Sequence, residues 1–382
     1  MIEVERERRR WNMGVYLNPG NEAFSEVIHS EIYVDKTPLL EYTNRVISTT
    51  SKFICSSRPR RFGKSITAEM LSAYYSKGSD SRELFADYAI HKAESFEKHL
   101  NQYDVIHFDV QWCMMDAGNA DCVVEYINNG ILQELKEKYG ELIPDTVKTV
   151  YGAMSYIKAA AGNKFVVIID EWDVLIRDEA QNHKVQEEYI DFLRGMFKGS
   201  EPSKYIALAY LTGILPIKKL KTQSALNNFE EFTMLDAGRM APYVGFTEAE
   251  VHDLCDRYGQ NYEQVKSWYD GYSLEGYQVY NPKAVVSLML NGKYKSYWSN
   301  TGSYEAIVPL INMNFDGLRA AIIEMMSGAA VDVDVTSFQN DTVSFANRDD
   351  ILTYLIHLGY LAYDQDRQQV FIPNEEIRHE LN

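Results

Sequence analysis

The sequence predicts an α/β fold in which a mostly parallel sheet carries helices on both faces, followed by a small helical region and a C-terminal helix-and-hairpin unit. Two observations predict it. Extended apolar runs alternate with helical periodicities through the first 240 residues, which implies right-handed crossovers and a parallel sheet. One of these runs, Phe165-Val166-Val167-Ile168-Ile169, is continuously apolar and largely β-branched, the composition of a strand buried on both faces.

The elements follow in order. After a turn at Asn18-Pro19-Gly20-Asn21 and an extended piece at Ile32-Tyr33-Val34, an apolar-periodic helix starts at Pro38. Lys52-Phe53-Ile54-Cys55 reads as the first core strand, and Ile66 to Tyr75 has helical spacing with Ile66, Met70, Leu71 and Tyr74 on one face. Tyr103 to Val110 is a second strand, and helical patterns fill most of Asp121 to Ala161. The run ending in Asp170-Glu171 is the third, Tyr205 to Leu211 ending at Thr212-Gly213 the fourth, and Phe232-Thr233-Met234-Leu235 the fifth. Thr247-Glu248-Ala249-Glu250 has capping-box spacing and opens a helix through Tyr258. Trp268, Tyr269, Tyr272, Tyr280 and Trp298 read as packing residues rather than a base-stacking platform. A helix at Asp349 to Leu358, strands at Tyr360 to Tyr363 and Gln369 to Ile372, and a closing helix resemble a winged helix. The hairpin tip, Asp364-Gln365-Asp366-Arg367, would meet phosphates badly, so the unit reads as an interaction or regulatory module. The expected organisation is a charged extension at 1–13, a sheet domain at 14–240, a helical lid at 241–300 and the winged-helix-like module at 301–382.

Composition narrows the function classes. With 55 acidic against 38 basic side chains the net charge is −17, so a nucleic-acid contact would need a local basic patch. The mixed-sign stretch MIEVERERRRW reads as a frayed extension, not as such a patch. The four cysteines have no C-x-x-C spacing, no run approaches the roughly 18 apolar residues of a membrane span, and the N-terminus lacks a signal-peptide core. A reduced, cytoplasmic setting is expected. Metal-hydrolase spacings such as H-E-x-x-H and the G-x-S-x-G elbow are missing.

Ligands of parallel sheets bind at the carboxyl ends of the strands, where Gly63-Lys64-Ser65, Asp170-Glu171 and Thr212 all fall. Strand, Gly-Lys-Ser and helix stand in the order of a phosphate-binding loop, the mark of a P-loop NTPase. In that reading Arg58, Pro59, Arg60, Arg61, Phe62, Gly63, Lys64, Ser65 and Ile66 form the nucleotide cradle. Gly63 allows close backbone approach, Lys64 reaches the β- and γ-phosphates, and Ser65 places its hydroxyl on Mg²⁺. Asp170 holds the magnesium, and Glu171 orients or deprotonates the attacking water. Thr212 is either a polar sensor of the γ-phosphate or a hydroxyl satisfying a strand end. Arg58 stands where the usual pattern has its first glycine, a position expected to cost strain, with Pro59 as an alternative way to fix the turn. One of Arg58, Arg60 and Arg61 either stabilises transition-state charge, in cis or toward a neighbouring subunit, or all three belong to a solvated basic loop. No N-K-x-D tetrad follows Asn163-Lys164 or Asn347-Arg348, so ATP is favoured over GTP.

The motifs Y-L-N-P-G-N at Tyr16 to Asn21, Y-V-D-K-T at Tyr33 to Thr37, R-P-R-R-F-G-K-S at Arg58 to Ser65, I-D-E-W-D at Ile169 to Asp173, L-T-G at Leu211 to Gly213, and W-Y-D-G-Y with Y-N-P at Trp268 to Pro282 together resemble the bacterial and archaeal AAA-ATPase-like family, over about residues 14 to 300. The resemblance implies that the arginine-rich loop is the ordinary Walker A form there, and that Trp172 is within pattern. Many members resemble a fusion to a C-terminal restriction-endonuclease-like domain. The nearest Glu-x-Lys string, Glu134-Leu135-Lys136, lies in a helical pattern, so no nuclease activity is expected of these 382 residues, which either lack that domain or are a shortened piece. Two functions remain. One is an Mg-dependent ATPase whose hydrolysis moves the C-terminal module. The other is a nucleotide-gated interaction module with negligible turnover. Either would act on a protein partner or on a nuclease module in trans.

Overall fold

The computed structural model describes residues 13–217, 226–298, 315, 317–340 and 345–381, so the charged stretch through residue 12 lies outside the described residues. Two compact units emerge. The first comprises the described residues up to Ser56, Ser65–Gly213 and the segment ending at Glu230; the second takes Ser57–Lys64, the segment after Gly213 and the residues from Glu231 onward.

The chain builds a five-stranded sheet in the order β2-β3-β4-β1-β5, with β1 Phe53–Ser57, β2 Asp104–Asp109, β3 Phe165–Asp170, β4 Ile206–Gly213 and β5 Glu230–Phe232, of which β2, β3 and β4 lie wholly in the first unit. β2 and β3 run parallel with Asp109 opposite Asp170, and β3 and β4 run parallel with Ile169 opposite Leu211. Every residue of β3 and β4 is buried, as expected of strands covered by helices on both faces. The flanking helices include α1 Glu22–Ile28, α2 Pro38–Val46, α3 Lys64–Tyr75, α4 Phe96–His99, α5 Val110–Asp116, α6 Val123–Tyr139, α7 Val150–Ala161, α8 Val174–Arg177, α9 His183–Phe197 and α10 Pro202–Tyr205. Their ends carry the expected signals. Asp109 caps α5, and α7 runs from a Thr149 cap to Gly162 in the left-handed region.

The fifth strand ends at Phe232, earlier than the apolar pattern suggests. The Thr233 hydroxyl accepts from the Leu235 and Asp236 amides (3.1 and 3.2 Å), closing a local turn that competes with the ladder. At the opposite edge the Y-L-N-P-G-N segment covers β2. Leu17 bridges Ile106 antiparallel, Asn18 exchanges hydrogen bonds with Val105, and Glu134 of α6 collects the amides of Val15, Tyr16 and Leu17 at 2.7 to 3.0 Å. Glu134 thus sits mid-helix with a structural task. Beneath this edge the fully buried Asp104 receives Lys77, Lys138, Tyr139 and Asn163.

The second unit contains α11 Glu248–Tyr258, α12 Tyr262–Tyr269 and α13 Pro282–Asn291 with a three-stranded antiparallel sheet, β6 Phe246–Thr247, β7 Tyr272–Leu274 and β8 Tyr277–Tyr280, in the order β6-β8-β7. The capping box is present: Thr247 N–H donates to Glu250 at 2.7 Å and Glu250 N–H to Thr247 at 3.5 Å. The sheet was absent from the helical expectation because its hairpin turn is Glu275-Gly276, with φ +49° and +81°, a type I′ geometry hidden by a glutamate at its first position. Tyr269, Tyr272, Tyr280 and Trp298 are buried, and Trp268 stacks on His379 at 5.3 Å, so these aromatics pack.

Further along come α14 Leu318–Met326, β9 Val331–Asp332, α15 Arg348–Leu358, β10 Ala362–Asp364, β11 Gln369–Phe371 and α16 Glu375–Leu381. The hairpin β10-β11 gains β9 as a third antiparallel strand, a two-residue piece that no periodicity could reveal. Among the described residues, no helix is long and apolar enough to cross a membrane.

Candidate active site

The residues expected at the strand ends occupy two settings. The loop 57–64 belongs to the second unit, whereas Ser65, Asp170, Glu171 and Thr212 belong to the first. Chain continuity joins them, because Lys64 opens α3 and Ser65 follows in its first turn.

The loop's side chains are spent on its own scaffold. Arg58 is fully buried, and its Nη1 donates to the carbonyls of Ser57 (2.9 Å), Phe232 (3.4 Å) and Thr233 (3.1 Å). The expected strain at Arg58 is absent: the left-handed residues of the loop are Arg61 (φ +70°) and Gly63 (φ +89°). Arg58 is therefore an internal strut, not part of a solvated basic loop. Arg61 donates to Tyr297 O at 2.8 Å, and burial lowers its pKa against the opposing pull of Glu376. Phe62 meets Tyr272 edge-on at 5.6 Å, and Pro59 is buried. A Cβ built on Gly63 would meet no atom within 4 Å, so the backbone there is open to a close ligand. Lys64 is 5% exposed and its Nζ donates to Pro59 O at 3.1 Å, while Ser65 and Ile66 are exposed.

At the sheet edge, Asp170 is 3% exposed and its Oδ1 accepts the Glu171 amide at 2.9 Å. Glu171 stands in the left-handed region at φ +49°, its Oε2 accepting from Arg177 Nη2 at 2.9 Å. Arg177 Nε also donates to the buried Asp173 at 3.0 Å. Trp172 is fully buried and its amide donates to Thr212 O at 3.1 Å, tying the ends of β3 and β4 together. A Cβ on Gly213 would fall 2.5 Å from Asp173 Oδ1 and 2.7 Å from Trp172 Cδ1, which explains the glycine of Leu-Thr-Gly. Thr212 is fully buried, and its Oγ1 has no hydrogen-bond partner among the described residues.

Three residues that sequence reasoning missed belong here. Asp109 ends β2 as Asp170 ends β3, and its carboxyl accepts from Gln111 and Trp112 amides (2.7 and 3.1 Å) while burial raises its pKa. Glu69 follows Ser65 by one helical turn on α3, and its carboxyl is pushed up to about 7 by burial, then by Asp170 and Asp109. Arg177 is the third. The signals available were the second strand ending in aspartate and the i,i+4 spacing of Asp173 and Arg177.

Residues 19–222 match the family model described as predicted AAA-ATPase, just over half of the chain. The chain belongs to this AAA-ATPase-like family. It is also similar to an "uncharacterized protein in vnfD 5′ region" of Azotobacter chroococcum mcd 1, 24% identical over 385 residues that span 95% of this chain and 68% of the relative. Membership in a predicted AAA-ATPase family points to nucleotide binding and hydrolysis in general. The matched span contains the phosphate-loop sequence, the Asp-Glu pair and Thr212, but only the start of the unit in which the loop is packed.

Proposed function

We propose that this AAA-ATPase-like chain binds Mg-ATP and hydrolyses it, and that the state of the phosphate loop is passed to its C-terminal module. The observation that carries the reading is the ordered set of a buried strand, Gly63-Lys64-Ser65 opening α3, and the buried Asp170 followed by the half-buried Glu171 at the end of β3. The residues fit the group. The space over Gly63 would admit phosphate oxygens, and the unpartnered Thr212 Oγ1 offers a donor that an apolar core would not retain. No cluster of three His, Cys, Asp or Glu placed to hold a metal occurs among the described residues. Magnesium at phosphates needs none, because it takes one or two protein oxygens and fills its shell with phosphate and water.

In this reading the backbone of Arg58 to Gly63 and the dipole of α3 hold the triphosphate, with Ile66 in the first turn behind them. Lys64 exchanges its bond to Pro59 O for the β- and γ-phosphates. Ser65 and Asp170 would hold Mg²⁺, which neutralises charge on the phosphate oxygens. Glu171 orients the attacking water and accepts its proton, and Thr212 hydrogen-bonds near the γ-phosphate.

Coupling to the C-terminal module is supported by the loop's packing within its own unit. Arg61 holds Tyr297, Phe62 packs on Tyr272, the Tyr272 hydroxyl donates to Gly359 O, and the Tyr297 amide donates to Glu376 of α16 at 2.7 Å. The same contacts support the second reading, a nucleotide-gated interaction module with negligible turnover, in which the winged-helix-like C-terminal unit presents itself to a protein partner or a nuclease module in trans. A cytoplasmic setting suits either. Calorimetry with Mg-ATP and steady-state phosphate release decide between them. For the ATPase, Lys64→Ala weakens binding, and Glu171→Gln keeps binding while phosphate release falls by about 100- to 10,000-fold, to a residual rate that single-turnover kinetics still resolves. Tight binding by the wild-type chain with no catalytic cycling leaves only the second reading, and no binding heat ends both.

A further inference from the structure

We infer that Arg177 is the positioning residue for Glu171, the side chain that keeps the proposed water-activating carboxylate in one orientation. The inference rests on the ATPase reading and extends it to a residue outside the phosphate loop and the Asp-Glu pair.

Glutamate has three side-chain torsions, and a carboxylate left to sweep through them is a poor partner for a water that must be held within a fraction of an ångström. Glu171 starts from an unusual backbone, φ +49°, a conformation that persists only where surrounding contacts over-determine it. On one side its amide is held by Asp170 Oδ1, and the next residue, Trp172, is fully buried with its amide on Thr212 O. These contacts fix the main chain. The carboxylate is fixed by Arg177, whose Nη2 lies 2.9 Å from Oε2.

Arg177 is itself immobilised. Its side chain is 5% exposed, its Nε lies 3.0 Å from Asp173 Oδ2, and Asp173 is fully buried one helical turn earlier. A third carboxylate, Asp178, lies 3.5 Å from Nη1 and is 40% exposed. Guanidinium is planar, so engaging Asp173 through Nε sets the direction in which Nη2 presents its proton to Glu171. Lysine could neutralise one carboxylate but could not hold two at a fixed angle. The strand end, the short helix α8 and the arginine therefore form one rigid piece that aims Glu171.

The test measures kcat, KM and Mg-ATP affinity for Arg177→Gln and Arg177→Lys, alone and combined with Glu171→Gln. Arg177→Gln should lower kcat by about 10- to 100-fold, the size of effect that misplacement of a reacting group by about an ångström produces, with the calorimetric Kd changed by less than about 2-fold. Arg177→Lys should recover part of kcat but not all of it, and because it keeps a cation beside Asp173 it carries the test if the glutamine variant does not fold. In the Glu171→Gln background, Arg177→Gln should remove no more than about another 2-fold, because the group it positions is already gone. A wild-type chain that turns over no ATP sinks this inference together with the ATPase reading. Wild-type turnover with unchanged kcat in both Arg177 variants, or full multiplicative loss in the double variant, sinks this inference alone.

Discussion

Three helices of the second unit end on glycines in the left-handed region, and replacing each by alanine separates a backbone effect from a packing one. Gly259, Gly292 and Gly359 close α11, α13 and α15 at φ +66°, +64° and +86°. An added Cβ at Gly259 or Gly292 meets nothing within 4 Å, so alanine there costs only the left-handed conformation, about 1 kcal/mol. At Gly359 the same Cβ falls 2.8 Å from Pro59 Cβ and Cγ and 2.8 Å from Trp298 Cη2. A pyrrolidine ring and a buried indole cannot swing away as a flexible chain end would, so about 1 to 3 kcal/mol of overpacking adds to the backbone cost. Gly359→Ala should lose about 2 to 4 kcal/mol in urea denaturation and the other two about 1 kcal/mol each. Because Pro59 lies in the loop and its carbonyl accepts from Lys64, Gly359→Ala should also raise the Kd for Mg-ATP by about 10-fold, a shift of about 1.4 kcal/mol, with no change in the two controls. Equal stability losses at the three sites, or a full loss at Gly359 with unaltered nucleotide affinity, would refute the argument that the C-terminal module bears on the loop through this contact.

Burial pushes the Asp104 carboxyl up, but Lys138, Tyr139 and Lys77 outweigh it and hold the pKa below the ordinary aspartate range. Its stabilisation is therefore present at neutral pH and lost as pH falls through that depressed value, and Asp104→Asn should cost about 3 kcal/mol at pH 7 with a smaller deficit in acid, read by denaturation across pH. Glu376 has the opposite sign: burial raises its carboxyl from near 4.5 to about 7, so wild-type stability declines between those pH values, and Glu376→Gln should be more stable relative to wild type at pH 8 than at pH 4 by about 3 kcal/mol. Thr212→Val keeps the shape of the side chain and removes a buried hydroxyl without a partner, so the ligand-free protein should be unchanged or more stable by about 1 kcal/mol while turnover falls; loss of stability with normal turnover would assign Thr212 to the strand end.

The parts of this molecule legible in the sequence are those whose cause is local. The run from Phe165 to Asp170 is buried along its whole length and says so in its composition, and Thr247 and Glu250 announce a helix start because the motif closes within one turn. The order of strand, Gly63-Lys64-Ser65 and helix is local too. What stayed hidden depends on residues far apart in the chain. An arginine at a glycine position looks like strain until its guanidinium is seen to close on the carbonyls of residues 232 and 233. Strand β9 has two residues and exists only because β11 pairs with it. The i,i+4 spacing of Asp173 and Arg177 hints at their pairing, yet nothing local says that the same guanidinium also reaches Glu171.

The burial of Arg58, the bond from Arg61 to Tyr297 and the ring contact of Phe62 with Tyr272 bear on how such a chain could use nucleotide. A ligand shifts a conformational equilibrium only by the difference in its affinity for the two states, so the loop's anchors are where that difference must arise. If the C-terminal unit rearranges, Arg61 and Phe62 lose their partners, and the backbone between them, which would hold the phosphates, is no longer set. Any such coupling would be reciprocal by linkage: if nucleotide at the loop shifts the Glu376 contact with Tyr297, a partner that grips α16 would change nucleotide affinity by the same factor that nucleotide changes the partner's. In a loop held only by its own strand and helix, neither direction of that exchange would exist. Arg58 and Arg61, standing in a loop that is usually glycine-rich, are the physical means by which it acquires a second set of attachments, to the carbonyls of Phe232, Thr233 and Tyr297.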